Sequence, residues 1–382
     1  MDRIYFDNSS TSFPKFPNVA QAMAKMLETG GFNINRGTYS EAYRLENAVF
    51  DTREMLCQLF NFEKASNVVF TPGITYSLNY ILRGFLKEGD HVITSSTEHN
   101  AVMRPLVDLQ NEGIEFSCAQ CNKDGTLDAE NVEKLIRPNT KAIVMLHGSN
   151  VCGTLLPLEE VGKIARVHNI KFIVDSAQTA GVFPIDMQKI GIDVLCFTGH
   201  KSLRGPQGIG GFLISDEMVS LTKPIITGGT GSFSNLETIP DVMPDRFESG
   251  TMNLPGIIGL HAALSYLKDE DMDSVREKEI ATAKRFYDKV NELPFVKCAG
   301  KNDFVDRAPI VSVDFTSKDN ADIAFRLESE YGIMTRCGLH CAPRAHKTLG
   351  TYPEGTVRFS FSSFNTSDEV DFCIDALRKI LK

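Results

Sequence analysis

Two ionisable residues follow apolar stretches that are typical of buried strands. Lys201 comes shortly after DVLCFT, and Asp175 ends KFIVD. A desolvated lysine has a lowered pKa and can act as an amine nucleophile, whereas a lysine at the surface keeps its charge in water. An acid at a strand end either caps a turn or holds a negative charge at a site. The pair therefore offers a nucleophilic amine and a carboxylate at one edge of a sheet.

A glycine turn and a histidine follow two other apolar runs. Gly73, Ile74 and Thr75 come after NVVF and open a helical pattern, TPGITYSLN. Free N–H groups at such a helix start can hold a phosphate, although a plain helix start gives the same sequence. His99 follows HVITSSTE, where its ring could stack on a planar cofactor or belong to a solvated loop. For the glycine turn and for His99, both interpretations stay open.

Taken as one set, these residues predict a cofactor. Ligands of open α/β sheets bind beyond the carboxyl ends of the strands, where all of these residues are expected. Pyridoxal 5'-phosphate requires a lysine that bonds to it and an acid that pairs with its pyridinium nitrogen. Lys201 and Asp175 meet both requirements, so we predict this cofactor. The run GPQGIGG is a weaker signal for a dinucleotide, because it precedes a strand and lacks the strand–turn–helix order.

The stretch RCGLHCAP places Cys337 and Cys341 on either side of His340. Metal ligation, a disulfide and one reactive sulfur are the chemistries open to it. With Cys118 and Cys121 of CAQC, it gives a Cys/His metal-binding or redox-sensing protein as a remote alternative, although the two clusters are far apart in sequence. The nine cysteines are an odd number, which favours reduced thiols over a disulfide framework. We expect no metal.

The elements that position these residues are predicted from hydrophobic patterning. Amphipathic stretches such as ITYSLNYILRGFL, LDAENVEKLIR and LEEVGKIARVHN separate short apolar runs, which favours crossover helices and a mostly parallel sheet buried on both faces. These runs are NVVFT, DHVITS, GIEFSC, KAIVML, KFIVDS, DVLCFT and GGFLIS. We therefore predict an α/β doubly wound domain.

The pattern changes after about residue 255 to long helices that are mixed with strands such as APIVSVDF and TVRFSFS. We predict an N-terminal arm at 1–15, a large cofactor-binding α/β domain at 16–255 and a smaller α+β domain at 256–382. A cleft between two closely packed parts is a common place for a small-molecule site.

Charge and hydropathy narrow the class of partner. The formal net charge of -9 argues against nucleic acid, because duplex binding depends on clustered Lys and Arg. The N-terminal MDRIYFDNSS lacks the apolar run of a signal peptide, and an apolar stretch of about 18 residues that could cross a membrane is not found. We therefore expect a cytoplasmic protein that acts on a small molecule and has neither nucleic acid nor membrane as a partner.

The motifs together resemble the class V aminotransferase family of pyridoxal phosphate enzymes, specifically the cysteine desulfurases and selenocysteine lyases. The resemblance covers nearly the whole chain and implies the fold type I architecture of pyridoxal phosphate-dependent transferases and a homodimer. The motifs that carry it are YFDNSSTS, TPGITYSLN, STEHN, SNVCGT, VDSAQ, FTGHK, ESGTMN, RCGLHCAP and VRFSFSSFN.

The resemblance implies cofactor-binding roles residue by residue. Lys201 matches the lysine that bonds to the cofactor, and Asp175 matches the partner of the ring nitrogen. Gln178 matches the donor to the ring hydroxyl oxygen, and His99 the stacking histidine, with a part in catalysis. The phosphate contacts that the resemblance implies are Thr75, Thr198, His200 and, from the neighbouring subunit, Thr251.

The resemblance also implies a substrate site. Arg358 matches the arginine that binds the substrate α-carboxylate, a role that suits its planar fork. The alternative for Arg358 is a solvated strand end. Asn150 matches an asparagine beside cofactor and substrate, and Asn8 and Arg36 complete the expected substrate-binding set. Cys341 matches the loop cysteine that accepts sulfur as a persulfide, in a short loop that resembles the type II branch.

The implied reaction releases sulfur or selenium from L-cysteine or L-selenocysteine and leaves L-alanine. Another reaction on the same cofactor, transamination or a different β-elimination, is the alternative, since one fold supports many reactions. An acceptor protein for the sulfur or selenium is a further candidate partner. Three features depart from the family pattern, namely Ile74, the additional Cys337 and the run GGTGSF at 228–233.

Overall fold

The computed structural model describes residues 3–30, 32, 34 and 39–382. Arg36, which the sequence places in the substrate site, lies outside the described residues. The strands are β1 (Ile4–Tyr5), β2 (Val68–Thr71), β3 (His91–Ser95), β4 (Glu115–Ala119), β5 (Thr140–Leu146), β6 (Lys171–Asp175), β7 (Val194–Thr198), β8 (Gly210–Ile214), β9 (Val296–Ala299), β10 (Ile310–Phe315), β11 (Ile333–Met334), β12 (Arg336–Gly338) and β13 (Thr356–Ser360). The helices are α1 (Val19–Glu28), α2 (Ser40–Phe60), α3 (Ile74–Phe85), α4 (Asn100–Leu109), α5 (Ala129–Glu133), α6 (Leu158–Val167), α7 (Met187–Ile190), α8 (Asp216–Leu221), α9 (Leu254–Asp269), α10 (Met272–Val290), α11 (Asn320–Tyr331), α12 (Pro343–Leu349) and α13 (Ser367–Leu381).

A seven-stranded sheet forms the larger part of the molecule, with strand order β2-β8-β7-β6-β5-β3-β4. Only β8 runs antiparallel to its neighbours, and the other pairs are parallel. Alternate residues of β6 face opposite sides of the sheet. Val174 packs in the cluster with α2, α6 and α9, and Ile173 packs in the cluster with α3 and α4. Strands that are buried on both faces have continuous apolar sequences, which made them predictable. The predicted mostly parallel sheet is confirmed.

One crossover helix is shorter than its sequence pattern predicts. The stretch LDAENVEKLIR forms a helix only over Ala129–Glu133. Pro138 follows that stretch and disfavours helical geometry in the residue before it. The chain turns there instead, with Arg137 N–H donating to Thr140 Oγ1 at 2.8 Å. The side-chain acceptor of Thr140 thus takes the place of a helical hydrogen bond.

A second, antiparallel sheet has the order β12-β13-β10-β9 and packs on α10, α11 and α13. The N-terminal segment belongs to this packing unit, because β1 pairs with β11 and Phe6 is fully buried in the same cluster. Helix α9 instead packs against α1 and α2, and its buried face belongs to the large sheet's core. The division at 255/256 stays a prediction, and the packing of α9 favours a boundary after Asp269.

None of the helices in the described part of the chain is long and apolar enough to cross a bilayer.

Candidate active site

A cavity of about 440 Å³ lies where the large sheet faces the smaller one. We call it the central cavity. Loops after several strands of the large sheet supply one wall, and β12, β13 and the N-terminal segment supply the other. The sequence-predicted residues that line it are Gly73, Ile74, Thr75, His99, Asn150, Asp175, Gln178, Thr198, His200, Lys201 and Arg358.

Lys201 lies in this cavity and is not a surface lysine. Burial is the main cause that lowers its pKa, to about 8, and the guanidinium groups of Arg358 and Arg336 act in the same direction while Asp175 opposes them. An ordinary lysine keeps its proton until well above pH 9. Lys201 therefore provides a larger share of neutral amine near pH 8, which is the form that can attack a carbonyl carbon or accept a proton.

Asp175 combines the two roles that the sequence left open for it. It ends β6, and its Oδ1 accepts a hydrogen bond from Ala177 N–H at 2.9 Å, as a turn-capping acid does. The same side chain is 5% exposed and lines the central cavity. Burial raises the pKa of Asp175, with the nearby Lys201 acting against the rise. A cationic ring nitrogen in the cavity would compensate this buried carboxylate.

The start of α3 and the end of β7 form a corner of the cavity that suits an anion. Helix α3 begins at Ile74 directly after Gly73 and leaves the first N–H groups of the helix without intrahelical partners. Thr198 ends β7 and lines the cavity beside this turn, and a Cβ added to Gly73 would lie 3.8 Å from Thr198 Oγ1. His200 Nδ1 is buried and finds no hydrogen-bond partner among the described residues. These donors converge as a phosphate group requires.

His99 is held in one orientation at the wall of the cavity. It is the N-cap residue of α4, and its Nδ1 accepts a hydrogen bond from Ala101 N–H at 3.0 Å. This bond assigns the proton of the neutral ring to Nε2. Burial, together with several nearby cations, lowers the pKa of His99 to about 3. The ring is therefore neutral at ordinary pH, which suits stacking on a flat cofactor and disagrees with a solvated loop histidine.

Arg358 is the central cation of the opposite wall. It lies in the middle of β13 and is 1% exposed, so the solvated strand-end interpretation is wrong. Its Nη1 donates to the Asn150 carbonyl at 3.0 Å, and its Nη2 donates to Asp7 Oδ1 at 2.9 Å. Within the described residues, Nε is buried without a partner. Arg358 thus keeps a free donor for a carboxylate of the ligand.

Replacing Arg358 by lysine is expected to raise KM for the amino-acid substrate by roughly 10- to 100-fold, with a smaller change in kcat. Lysine keeps the charge but loses the planar fork that gives two parallel hydrogen bonds to a carboxylate, and 1.4 kcal/mol of binding is tenfold in affinity. Steady-state kinetics measures this split. The half-buried Arg326, which pairs with Glu330 on α11, serves as the matched control when it is replaced by lysine. An unchanged KM in Arg358→Lys would show that the carboxylate binds elsewhere.

Cys341 lies beside the central cavity, in a groove of about 730 Å³ that we call the outer groove. Thr75 and His99 line both spaces, so they form the partition between them. Cys341 is exposed, and Arg336 Nη2 donates to its Sγ at 3.6 Å. Arg336 itself lines the central cavity. The sulfur therefore lies where a guanidinium can stabilise negative charge on it.

The loop that carries Cys341 is held by its backbone. His340 and Cys341 both have left-handed conformations, with φ of 49° and 58°. Asn150 Nδ2 donates to the His340 carbonyl at 2.7 Å, and Asn100 N–H donates to the Cys341 carbonyl at 2.8 Å. A conformation that is uncommon for residues other than glycine persists here because both carbonyl groups are bound. Two backbone hydrogen bonds thus hold the loop, and the ordered loop that the type II resemblance implies stays a prediction.

Cys337 belongs to a different environment. It lies on β12 between Arg336 and Gly338, and because side chains alternate along a strand, it faces away from Arg336. Its side chain packs against the core of the smaller sheet, and burial raises its pKa. All nine cysteines of the chain are free thiols, so the disulfide alternative is not realised.

The metal alternative has no geometric basis in the described residues. Three or more His, Cys, Asp or Glu side chains do not converge there as a metal-binding group. The two nitrogen atoms of His340 are not available together, since Nε2 interacts with Thr356 at 3.1 Å. The sulfur of Cys118 accepts a hydrogen bond from Arg344 at 3.1 Å.

Two further predicted residues lie outside the central cavity. Asn8 borders a separate small cavity. Its Nδ2 donates to the Ser360 carbonyl at 3.0 Å, and its Oδ1 accepts from Phe13 N–H at 3.2 Å. Thr251 is exposed and lines another cavity of about 260 Å³. A substrate contact for Asn8 and a contact across a dimer interface for Thr251 stay predictions, and the bonds of Asn8 favour a structural role.

Among the residues of the site that the predicted set lacked are Asp7 and Ser10. Both stand in the motif YFDNSSTS, where polar residues are so frequent that none is singled out. Their position depends on a bridge between Asp7 and Ser360 that attaches the N-terminal segment to β13. This bridge, with the pairing of β1 and β11, brings their side chains to Arg358.

Glu98 is a fully buried acid next to His99. Its carboxyl oxygens accept from Leu146 N–H at 3.1 Å, and Ser95 Oγ lies 2.5 Å from Oε1. Burial is the main cause that raises the pKa of Glu98 to about 8, and the charge of Asp175 adds to it. Glu98 is therefore mostly protonated at neutral pH in the folded protein.

Titration of the Glu98 carboxyl group lowers the free energy of unfolding as the pH rises. An unfolded chain releases the Glu98 proton near pH 4.5, while the folded chain keeps it to about pH 8, so folding loses free energy between these values. The glutamine of Glu98→Gln cannot titrate. Between pH 5.5 and 8, the unfolding free energy of the unaltered protein is therefore expected to fall by roughly 2 kcal/mol or more beyond the fall in this variant. Urea unfolding at both pH values measures the difference. Parallel losses in the two proteins would contradict the raised pKa.

The chain belongs to the aminotransferase class-V family, whose family model matches residues 4–372. This confirms the resemblance predicted from the motifs, and the family's enzymes use pyridoxal phosphate. Within the family, the chain is 34% identical to a probable cysteine desulfurase of Borreliella burgdorferi, over 99% of this chain and 92% of that protein. It is 31% identical to the cysteine desulfurase CsdA of Escherichia coli, over 99% of this chain and 94% of that protein.

Solved structures agree with this assignment. An apo structure of a cysteine desulfurase from Thermococcus onnurineus NA1 superposes with a TM-score of 0.91 at 30% identity, covering 99% of this chain and 94% of that one. The S-sulfonic acid form of Escherichia coli CsdA gives a TM-score of 0.89 at 30% identity, over 99% and 94% of the two chains. The predicted fold class, a large α/β part with a smaller α+β part, is confirmed.

Proposed function

We propose that the protein is a pyridoxal phosphate-dependent enzyme that releases sulfur or selenium from L-cysteine or L-selenocysteine and leaves L-alanine. The observation that carries the proposal is the juxtaposition of Lys201, whose pKa is lowered, with a guanidinium-bound cysteine thiol in the outer groove beside the cavity. The relatives named cysteine desulfurase support this reaction above others on the same fold.

The residues present fit the cofactor. Lys201 would bond to it, and the buried Asp175 would pair with its ring nitrogen. His99 would stack on the ring, and the start of α3 with Thr198 and His200 would hold the phosphate. The orphaned Nδ1 of His200 supports this fit, since a buried polar atom without a partner is costly. When bound, pyridoxal phosphate supplies an electron-withdrawing ring that stabilises negative charge at the substrate Cα.

Arg358 would orient the substrate by its carboxylate. Arg358 lines the same cavity as Lys201, and its Nε has no hydrogen-bond partner among the described residues. The carboxylate and the amine nitrogen would then place Cα beside the Lys201 amine, which takes a proton from Cα and returns one. A bound carboxylate would place a second negative charge beside Arg358, which already pairs with Asp7.

Cys341 would receive the sulfur. Its thiolate attacks the substrate sulfur, a new S–S bond forms and the carbon–sulfur bond breaks. The electron pair stays with the carbon fragment, which takes up a proton and leaves as L-alanine. A persulfide remains on Cys341, without any external oxidant. Selenium can leave without this attack, so the thiol would assist only weakly with L-selenocysteine.

The outer groove supports delivery of the persulfide to an acceptor. It opens Cys341 to solvent on the side away from the central cavity, and it is lined by Arg104 and Arg344. In the part of the chain that the structure describes, no carboxylate is paired with either guanidinium. An acceptor thiol with acidic neighbours fits this surface by charge. We also infer a homodimer, in which Thr251 would reach the partner's phosphate site.

Turnover of L-cysteine tests the proposed function. The protein loaded with pyridoxal phosphate, in the presence of a reductant, is expected to release equal amounts of L-alanine and sulfide. L-selenocysteine, measured in parallel, ranks the two substrates. Pyruvate or another keto acid formed in place of L-alanine would favour transamination or a different β-elimination.

A further inference from the structure

Ser10 occupies a position between the two guanidinium groups of the site. Its hydroxyl oxygen accepts from Arg358 Nη2 at 2.7 Å and from Arg336 Nη1 at 2.9 Å. The same hydroxyl donates to Asp7 Oδ1 at 2.7 Å. A hydroxyl has one donor and two acceptor lone pairs. The hydrogen-bonding capacity of Ser10 is therefore filled by one anion and two cations.

The arrangement brings two like charges close together. Arg336 and Arg358 are paired residues on adjacent strands, β12 and β13, so their backbones are held in register. Their side chains would repel one another unless an acceptor lay between them. Asp7 supplies one negative charge, and it bonds directly to Arg358 and to Ser10. The Ser10 oxygen is the only atom among these groups that contacts both arginines in the described structure.

Each arginine keeps a second hydrogen-bond donor for a different task. Arg358 lines the central cavity, and its Nε has no hydrogen-bond partner among the described residues. Arg336 uses Nη2 to donate to Cys341 Sγ. A chain of contacts therefore runs from the carboxylate-binding group through Ser10 to the sulfur. A parallel chain runs through Asn150, whose carbonyl binds Arg358 and whose Nδ2 binds the His340 carbonyl.

We propose that Ser10 is a positioning residue that fixes Arg336 relative to Arg358, so that substrate carboxylate and Cys341 sulfur are aligned by one network. The inference rests on the proposed function, because it uses Arg358 as the carboxylate site and Cys341 as the sulfur acceptor. Without the hydroxyl, Arg358 loses a partner that orients its fork, and Arg336 is released from the position at which it meets Sγ.

Two readouts in the cofactor-loaded protein test this role. Ser10→Ala is expected to raise KM for L-cysteine about tenfold, since a lost hydrogen bond to a charged group is worth about 1.5 kcal/mol. Alkylation of Cys341 by iodoacetamide without substrate, followed by mass spectrometry, is expected to change in rate by at least about threefold, because the contact of Arg336 Nη2 with the reacting Sγ is lost. Ser10→Thr keeps the hydroxyl and is expected to stay within about twofold of the unaltered protein in both readouts.

Ser329→Ala is the matched control, since this exposed serine on α11 bonds only to the Phe325 carbonyl. Unaltered KM and alkylation in Ser10→Ala would overturn the proposal. So would a loss in Ser10→Thr as large as that in Ser10→Ala, because it would show that space and not the hydroxyl matters. Alkylation requires no turnover, so an unaltered protein that fails to release L-alanine would defeat the proposed function and leave this test standing.

Discussion

Lys201→Ala is expected to reduce turnover of L-cysteine by at least about 1,000-fold. The amine of Lys201 serves both as the nucleophile that bonds to the cofactor and as the group that moves the Cα proton, and acid–base catalysis alone contributes about 10²- to 10⁴-fold. The pKa of Lys201, lowered to about 8, gives it a larger share of neutral amine than an ordinary lysine has. Release of L-alanine per enzyme, with cofactor content measured in the same sample, gives the result.

Lys189→Ala is the matched control for this variant. Lys189 is an exposed lysine that pairs with Glu159 at 2.7 Å, far from any role in the cavity. It is expected to keep turnover unaltered. Lys201→Arg retains a positive charge but provides no neutral amine, so it is expected to be as inactive as Lys201→Ala. Substantial turnover in either Lys201 variant would mean that another group performs the chemistry.

Cys341→Ala is expected to lower L-cysteine desulfuration by at least about 100-fold and to leave L-selenocysteine turnover within about fivefold of the unaltered protein. The thiolate forms the S–S bond in the first case, whereas selenium leaves without it in the second. The exposed sulfur beside Arg336 is the only part of the site removed by this change. Parallel assays of L-alanine from the two amino acids measure the ratio.

Cys337→Ala supplies the control from strand β12, which precedes the loop of Cys341. Its sulfur packs in the core of the smaller sheet and faces away from the site, so the variant is expected to lose about 1 kcal/mol of unfolding free energy while its turnover stays within about twofold. Equal losses in the two cysteine variants would contradict the assignment of Cys341 as sulfur acceptor. Loss of L-selenocysteine turnover in Cys341→Ala would show that the thiol also acts as a proton donor.

The cofactor wall of the site could be predicted from local sequence. Parallel strands that are buried on both faces leave continuous apolar runs, and the residues directly after these runs meet at one edge of the sheet. Asp175 and Lys201 stand out there because ionisable residues rarely follow such runs. The same logic places the glycine turn and needs no knowledge of distant contacts, whereas the phosphate contact of Thr198 is implied by the family resemblance.

The substrate wall could be predicted only from the family resemblance. The environment of Arg358 depends on the N-terminal segment, which is hundreds of positions away in the sequence. No periodic pattern indicates that Asp7 bridges to Ser360 or that Ser10 reaches two arginines. The different roles of Cys337 and Cys341 also follow from the strand, because alternation on β12 turns one sulfur into the core and the loop beyond it exposes the other.

The most direct test of the account is a single turnover with L-cysteine and no reductant. The cofactor-loaded protein, mixed with excess L-cysteine and quenched with an alkylating reagent, is examined by mass spectrometry for added sulfur on each cysteine. The account predicts one added sulfur on Cys341 for each L-alanine formed, with Cys337 unmodified. L-alanine formed with no sulfur on Cys341, or sulfur found on another cysteine of the Cys341→Ala variant at the same rate, would contradict it.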